Sequence, residues 1–153
     1  MHDFCDKLTD LGRLSQAKLA LDAVDGWMDS LPEQKAKNST WLRPRSLLLN
    51  QRGDVLLAQG DLARALAGFQ ASRDIAERLA ADDPSNAGWQ RDLSVSLTRL
   101  AGLHEKKGDR VSALRDAKAS LAIDERLAAL DRSNVMWQSD VQITRAMVAR
   151  LEG

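Results

Sequence analysis

The sequence contains two consecutive stretches of equal length, WLRPRSLLLNQRGDVLLAQGDLARALAGFQASRDIAERLAADDPSNAG at residues 41–88 and WQRDLSVSLTRLAGLHEKKGDRVSALRDAKASLAIDERLAALDRSNVM at residues 89–136. They align without a gap, and 19 of the 48 positions carry the same residue. Identities occur at the opening tryptophan, the central Gly-Asp pair and the closing Ser-Asn pair. The chain therefore contains an internal repeat, which is the sequence signature of stacked structural units.

Each repeat is predicted to form two helices. Leucine and alanine, which favour helices, far outnumber the β-branched residues that favour strands. Gly60 and Gly108 are each followed by an aspartate, so glycine ends one helix in a left-handed conformation and aspartate caps the next. In the helix after Gly108 the apolar positions are read as Val111, Leu114, Ala117, Leu121, Leu127 and Leu130. We expect an all-α fold.

The same offset continues toward both ends of the chain. Trp137 aligns with Trp89, and Gly12 aligns with Gly60. We predict one domain over residues 1–153 with about 6–7 helices, each about 20 residues and 30 Å long. It consists of a partial repeat (1–40), two full repeats (41–88 and 89–136) and a terminal helix (137–153). A helix pair with one apolar stripe per helix buries that stripe only by stacking on further pairs, as in a solenoid.

Composition and charge exclude several classes of protein. The 22 basic and 22 acidic side chains cancel, so no general attraction to nucleic acid or an anionic membrane is expected. No apolar run approaches the roughly 18 to 20 residues of a membrane span. The N-terminus carries acids where a signal peptide needs cations, and the single cysteine, Cys5, cannot form an intramolecular disulfide. We expect a cytoplasmic protein.

The residues of each repeat resemble the tetratricopeptide repeat family. In that family a glycine late in the first helix precedes a Gly-Asp or Gly-Asn turn, and the second helix then carries Ala, an aromatic residue and a small residue. The matching positions are Gly53, Gly60, Asp61, Ala65, Phe69 and Ser72, and then Ala101, Gly108, Asp109, Ala113, Ala117 and Ser120. The departures are the longer period here, since that of the family is about 34 residues, and Leu49 and Leu56 at its early aromatic positions. The start at residues 89–95 is similar to long repeats of bacterial signalling proteins.

The resemblance implies a right-handed superhelical solenoid of antiparallel helix pairs that acts as a protein-interaction module. In the family, the first helix of each pair lines a concave groove that receives a peptide, and no cofactor takes part. Carried over by position, the groove residues are Leu47, Asn50, Asp54, Leu57, Val95, Thr98, Gly102, Glu105, Ala146 and Arg150. Asn50 is the leading candidate, because its amide can bond a peptide backbone. An adaptor or regulatory subunit of a bacterial system is the function implied.

Arginines add a possible electrostatic component to the groove. Arg43, Arg45 and Arg52 form the densest basic group, and Arg91 and Arg99 continue it in the next repeat. A solvated face is the simpler interpretation. The alternative is a cationic strip that binds an acidic peptide or, less favoured, a nucleic-acid backbone. We include Arg91 and Arg99 among the predicted partner-binding residues.

The tryptophans mark the repeat. Trp41, Trp89 and Trp137 are evenly spaced by one repeat length, and we predict that each packs at a helix start with its N–H at the wetter end. Trp27 falls outside this series, so it is the more plausible tryptophan for contact with a partner.

The chain is not expected to be an enzyme. His2, Asp3, Cys5 and Asp6 lie together, but a terminal segment without a supporting shell is a poor metal site. His104 is expected in the core or groove, and so few histidines and thiols leave little for nucleophilic catalysis. Two alternatives to peptide binding stay open: a self-assembling or regulatory piece of a larger complex, with contact through the terminal helices, and a nucleic-acid-binding solenoid.

Overall fold

The computed structural model describes residues 12–13, 15–17, 19–23, 26–27, 29–30 and 38–153. Every regular element in these ranges is an α-helix, as the sequence predicts, and they contain no β-strand. Contacts between residues group the chain into two compact units, 1–72 and 73–153. The prediction of a single domain over 1–153 stays a prediction.

Five helices have defined bounds: α1 (Ser39–Ala58), α2 (Leu62–Asp82), α3 (Ala87–Lys106), α4 (Arg110–Leu130) and α5 (Val135–Glu152). Described residues between 12 and 29 are helical as well. The five helices are 18 to 21 residues long, close to the predicted length. Pro44 lies inside α1, which continues through it although proline cannot supply the N–H of the regular hydrogen bond.

The helix ends are formed by the residues that the repeat predicts. Gly60 and Gly108 have φ angles of 81° and 78°, the left-handed conformation that favours glycine. Asp109 caps α4 by accepting a hydrogen bond from the backbone N–H of Ser112. Hydrogen bonds from Ser112 stabilise the charged carboxylate, so they lower the pKa of Asp109 below its ordinary value. The turns between helices are thus fixed by local chemistry in each repeat.

The three evenly spaced tryptophans lie at helix starts, as predicted. Trp41, Trp89 and Trp137 are each the third residue of their helix. The helices α3 and α5 are capped by asparagine side chains, which accept the backbone N–H groups of Trp89 and Trp137. Trp137 also packs against a buried cluster in the second unit. The spacing of these tryptophans therefore reflects the spacing of the helix starts.

A pair of serines joins the two helices of each repeat. The hydroxyl oxygens of Ser46 and Ser72 lie 2.9 Å apart, and Ser72 donates to the backbone carbonyl of Ser46 at 2.8 Å. Ser94 and Ser120 repeat the arrangement at the equivalent positions of the next repeat, at 3.0 Å for both contacts. All four serines are buried. The sequence repeat thus corresponds to a repeat of atomic contacts.

The core of the second unit is built from small and aliphatic side chains of α3, α4 and α5. One cluster joins Leu97 of α3 to Ile123 and Leu127 of α4. A second cluster consists of Ala101, Ala113, Ala117, Val148 and Leu151. Alanines at these positions let neighbouring helices approach closely. In the first unit glycine does the same, because a Cβ atom on Gly53 would lie 2.6 Å from Cδ1 of Phe69.

Two residues of the predicted apolar stripe on α4 are exposed. Val111 is 83% exposed and Leu130 is 73% exposed, so their assignment to the core is wrong. The buried stripe instead follows positions 113, 117, 120, 124 and 127, with helical spacing. Val111 falls two residues before its first member, on another face, and Leu130 ends the helix.

No helix in the described part of the chain is long and apolar enough to cross a membrane.

Candidate functional site

The second unit contains a half-open cavity of about 160 Å³ between three helices, which we call the α3–α5 pocket. Four residues of α3, one of α4 and three of α5 line it: Ser94, Val95, Thr98, Arg99, Asp124, Asp140, Ile143 and Thr144. On each helix, residues four apart lie on one face, so neighbouring turns of α3 and of α5 contribute to the same wall. The pocket is therefore a product of the helix packing.

Asp124 is the buried charge of the pocket. The residue is 2% exposed, and its carboxylate accepts hydrogen bonds from Ser94 Oγ on α3 and, at 2.7 Å, from Thr144 Oγ1 on α5. Burial raises the pKa of Asp124 above the ordinary value of 3.8, and the two hydroxyl donors oppose that effect. Asp124 thus joins three helices at the cost of removing a carboxylate from water.

The hydroxyls around Asp124 form a continuous network. Thr98 Oγ1 lies 2.8 Å from Ser120 Oγ and 3.1 Å from the backbone carbonyl oxygen of Ser94, and its hydroxyl can donate to either. Ser94 connects this network to Asp124. Thr98, one of the predicted partner-binding residues, is therefore engaged within the chain while it lines the pocket. Such a network fixes the pocket wall before anything binds.

The pocket also has an ion pair and an apolar edge. Arg91 binds Asp140 with two hydrogen bonds, from Nε at 2.7 Å and from Nη2 at 3.2 Å. This pair joins α3 to α5 beside the cavity, so Arg91 lies next to the pocket as a structural residue. Ile143 is 57% exposed, which leaves an apolar surface accessible at the pocket. The site therefore offers polar groups and apolar surface together, as ligand sites commonly do.

Sequence analysis did not find Asp124, although the repeat contains the signal. The equivalent residue of the preceding repeat is Ala76, which is buried in α2. The repeat was recognised from its identical positions, and positions 76 and 124 differ between the two repeats. A buried carboxylate at a position that alanine also occupies is not required by the repeat, which makes it a candidate for function.

The other predicted groove residues lie in two further places. Glu105 of α3 binds Arg150 of α5 through two hydrogen bonds of 2.9 and 2.8 Å, so these two predicted groove residues contact each other. The hydrogen bonds from Arg150 lower the pKa of Glu105. Gly102 and Ala146 lie on α3 and α5, and four further predicted residues are on α1, in the first unit: Leu47, Asn50, Asp54 and Leu57. Asn50 is only 3% exposed, whereas the prediction needs its amide at the surface.

The predicted cationic strip is compensated at several points. Arg45 binds Asp29, Arg52 lies 3.2 Å from Asp22, and Arg91 binds Asp140. Paired arginines attract a polyanion less strongly than free ones, because a neighbouring carboxylate cancels much of their field. This pairing favours the simpler interpretation of the arginines, as a solvated and internally balanced face.

His104 lies between two carboxylates. Its Nδ1 is 3.6 Å from Asp109 Oδ2, and its Nε2 is 3.6 Å from Oδ2 of Asp116, which is buried. Among the described residues, no cluster of His, Cys, Asp or Glu has an arrangement that could hold a metal ion. The terminal group His2, Asp3, Cys5 and Asp6 lies outside the described residues.

The chain was compared with protein-family models, with curated proteins and with solved structures, and none of them matches it.

Proposed function

We propose that this chain is a helical-repeat interaction module that binds a segment of a partner protein on the surface formed by α3 and α5. The observation that carries the proposal is the α3–α5 pocket, which combines exposed Ile143 with Arg99 and the buried Asp124. A concave site with apolar surface and a few fixed polar groups is the usual form of a recognition site.

The resemblance to tetratricopeptide repeats fits this proposal. The helices α3 and α5 begin successive repeats, and the first helices of each repeat line the groove in that family. The early part of α4, at Ala113, packs with the late part of α3, at Ala101, while Ile123 packs with the earlier Leu97. This order of contacts supports an antiparallel arrangement of α3 and α4. We extend the proposal to a right-handed solenoid, and to an adaptor or regulatory role in a bacterial system.

Self-assembly through α5 has less support than peptide binding. Gln142 and Arg145 of α5 occupy the positions that Ser94 and Leu97 occupy on α3, where both residues are buried against α4. Both α5 residues are exposed. A second copy that packed on α5 as α4 packs on α3 would bury Gln142 and the ion pair of Arg145 with Glu125, and burying these groups is costly. This face of α5 therefore has the character of a cap.

A selection from a random peptide display library tests the proposed function. The purified chain is the bait, and the enriched peptides are then measured against it by calorimetry. We expect binding with one peptide per chain, weakened about tenfold or more by Ile143→Glu, because burying a glutamate against the partner is costly. The matched control is Val111→Glu, which changes an equally apolar and more exposed residue outside the pocket.

Two results would contradict the proposal. One is a library from which no peptide is enriched over an empty-bait control. The other is a set of peptides whose affinity is the same for the wild-type chain and for Ile143→Glu.

A further inference from the structure

We propose that the α3–α5 pocket binds the ammonium end of a lysine side chain from the partner, with Asp124 as the anionic group that recognises it. The inference rests on the proposed function and gives it a chemical specificity. It is carried by the size of the pocket, the hydrogen bonding of Asp124, the apolar residues beside it and the contrast with the first repeat.

The size of the pocket corresponds to one side chain. Its volume is about 160 Å³. An apolar protein cavity of about 150 Å³ accepts one benzene molecule. A single extended side chain therefore fits, whereas a folded segment of the partner does not. The rest of the partner segment would lie across α3 and α5 outside the cavity.

Asp124 has unused capacity for hydrogen bonds. A carboxylate offers about four acceptor positions. The described contacts use one on each oxygen, from Ser94 and from Thr144. An ammonium group carries three N–H donors and a full positive charge, so it would complete the hydrogen bonding and offset the cost of burying the carboxylate.

The walls of the pocket suit the stem of a lysine. Val95 of α3 and Ile143 of α5 both line the cavity, and neither is fully buried. Lysine buries its methylene stem along apolar surface while its charged end makes polar contacts. The pocket thus offers apolar surface to the methylene stem of a lysine and a carboxylate to its ammonium end.

The charged residues at the pocket differ in their partners and in their exposure to water. Asp140 is hydrogen-bonded to Arg91, whose charge also lowers the pKa of Asp124, whereas the described hydrogen bonds to Asp124 come from neutral hydroxyls. Arg99 also lines the pocket, but it is partly exposed, and water screens its repulsion of a cation more effectively than it screens a buried charge. Arg99 is therefore not expected to exclude a cation.

The first repeat lacks the same set of groups. Ala76 occupies the position of Asp124, and Asn50 and Gln51 stand where the second repeat has Thr98 and Arg99. The carboxylate is therefore specific to one repeat. Specificity of this kind is expected of a recognition residue and not of a residue that every repeat needs for stacking.

The experiment titrates the full chain with n-butylammonium, a mimic of the lysine side chain, and follows the methyl signals of Val95 and Ile143 by NMR. 1-Butanol and butyrate are the neutral and anionic probes of similar size, and n-propylguanidinium tests arginine. We expect saturable shifts with n-butylammonium and weaker ones with the other three. Asp124→Asn should reduce the affinity roughly tenfold, the effect of losing a charged partner.

The control variant is Glu125→Gln, which neutralises the neighbouring exposed carboxylate and should leave the affinity unchanged. If Asp124→Asn fails to fold, Asp124→Ala replaces it, since alanine occupies the equivalent buried position in the first repeat. Equal affinities for n-butylammonium and 1-butanol, unchanged affinity in the Asp124 variant, or no saturable shift would each overturn the inference.

The peptides from the display selection separate this inference from the proposed function. Peptides that depend on Ile143 but carry no fixed lysine would leave the proposed function standing and refute the lysine pocket. Saturable binding of n-butylammonium at Asp124 without any enriched peptide would support the pocket chemistry and refute the peptide-binding function.

Discussion

The hydroxyls of Ser94 and Ser120 lie 3.0 Å apart and join α3 to α4, and Ser120 also donates to the backbone carbonyl of Ser94. Because Ser46 and Ser72 make the same contacts in the preceding repeat, the contact belongs to the repeat. The same contact adjoins the pocket at Asp124, because Ser94 Oγ contacts Ser120 Oγ and also donates a hydrogen bond to Asp124. The serine pair, which joins the two helices in both repeats, thus also positions Asp124, which only the second repeat has.

The serine pairs should contribute measurably to stability. Ser120→Ala removes a buried hydroxyl and should lower the free energy of unfolding by about 1–2 kcal/mol, the usual cost of a lost buried hydrogen bond. Urea unfolding followed by circular dichroism measures the change. Ser139→Ala, at an exposed position of α5, serves as the control and should stay within about 0.5 kcal/mol of the wild type. Equal effects of the two substitutions would show that the pair contributes no stability.

The close approach of Gly53 and Phe69 should make their substitutions interdependent. A methyl group on Gly53 would clash with the ring of Phe69, and the second repeat has alanine at both equivalent positions, 101 and 117. Gly53→Ala alone should destabilise the chain strongly. Phe69→Ala alone should cost about 3–5 kcal/mol through the cavity it leaves.

The double variant should cost less than the sum of the two single substitutions, by about 0.5–3 kcal/mol. A double-mutant cycle in urea measures this coupling. Strict additivity would contradict the contact that the structure shows.

The pKa of Asp124 predicts how stability depends on pH. A carboxyl whose pKa is raised on folding binds its proton more tightly in the folded state, so its contribution to stability is fully present below the ordinary value of 3.8. This contribution to stability is lost as the pH rises from 3.8 through the raised pKa of Asp124 in the folded state. Relative to Asp124→Asn, which has no titrating group at that position, the wild type should therefore become less stable over this interval and then level off.

Urea unfolding of both chains at intervals from pH 4 to pH 8 measures the difference in free energy of unfolding. A difference that stays constant across this range would contradict the raised pKa of Asp124.

The turn glycines should tolerate alanine poorly, in contrast to a helical glycine. Gly108 has φ of 78°, a conformation that costs a residue with a side chain about 1–2 kcal/mol. Gly108→Ala should lower the free energy of unfolding by that amount. Gly102 lies inside α3 with open space where a Cβ atom would stand, so Gly102→Ala should raise it by about 0.5–1 kcal/mol. Thermal unfolding of both variants tests the opposite signs.

The cap character of α5 predicts that association through this helix needs a change of sequence. The wild-type chain should show no concentration-dependent association through α5 by light scattering. Arg145→Leu together with Gln142→Ser restores the residues that α3 presents to α4, Leu97 and Ser94, and should promote association by exposing an apolar face. If the wild type associates and Ala146→Glu, an exposed change on the same helix, abolishes the association, α5 is an open edge instead.

The sequence predicts the helices and their ends well, because those depend on nearby residues. Gly108 and Asp109 define a turn whatever the rest of the chain does, and Trp89 and Trp137 occupy equivalent helix starts for the same local reason. Thr98 and Arg99 line the α3–α5 pocket, and their contact with a partner stays a prediction.

The rest depends on how helices pack, which local patterns do not determine. Val111 and Leu130 are apolar but lie off the buried face of α4. Asn50 is polar but buried, and its burial follows from the position of its helix face and not from its own polarity. The importance of Asp124 emerges only when residues of three helices are brought together.

Trp27 and Trp41 give residues 1–72 an optical signature of their own. Their ring centroids are 5.7 Å apart and their planes meet at 66°, so the electronic transitions of the two indoles couple. The resulting circular dichroism couplet disappears when this unit unfolds. Trp89 and Trp137 belong to residues 73–153 and add to the total fluorescence. The chain thus carries intrinsic probes in both units. Thermal unfolding followed by both circular dichroism and fluorescence would show whether the units unfold together.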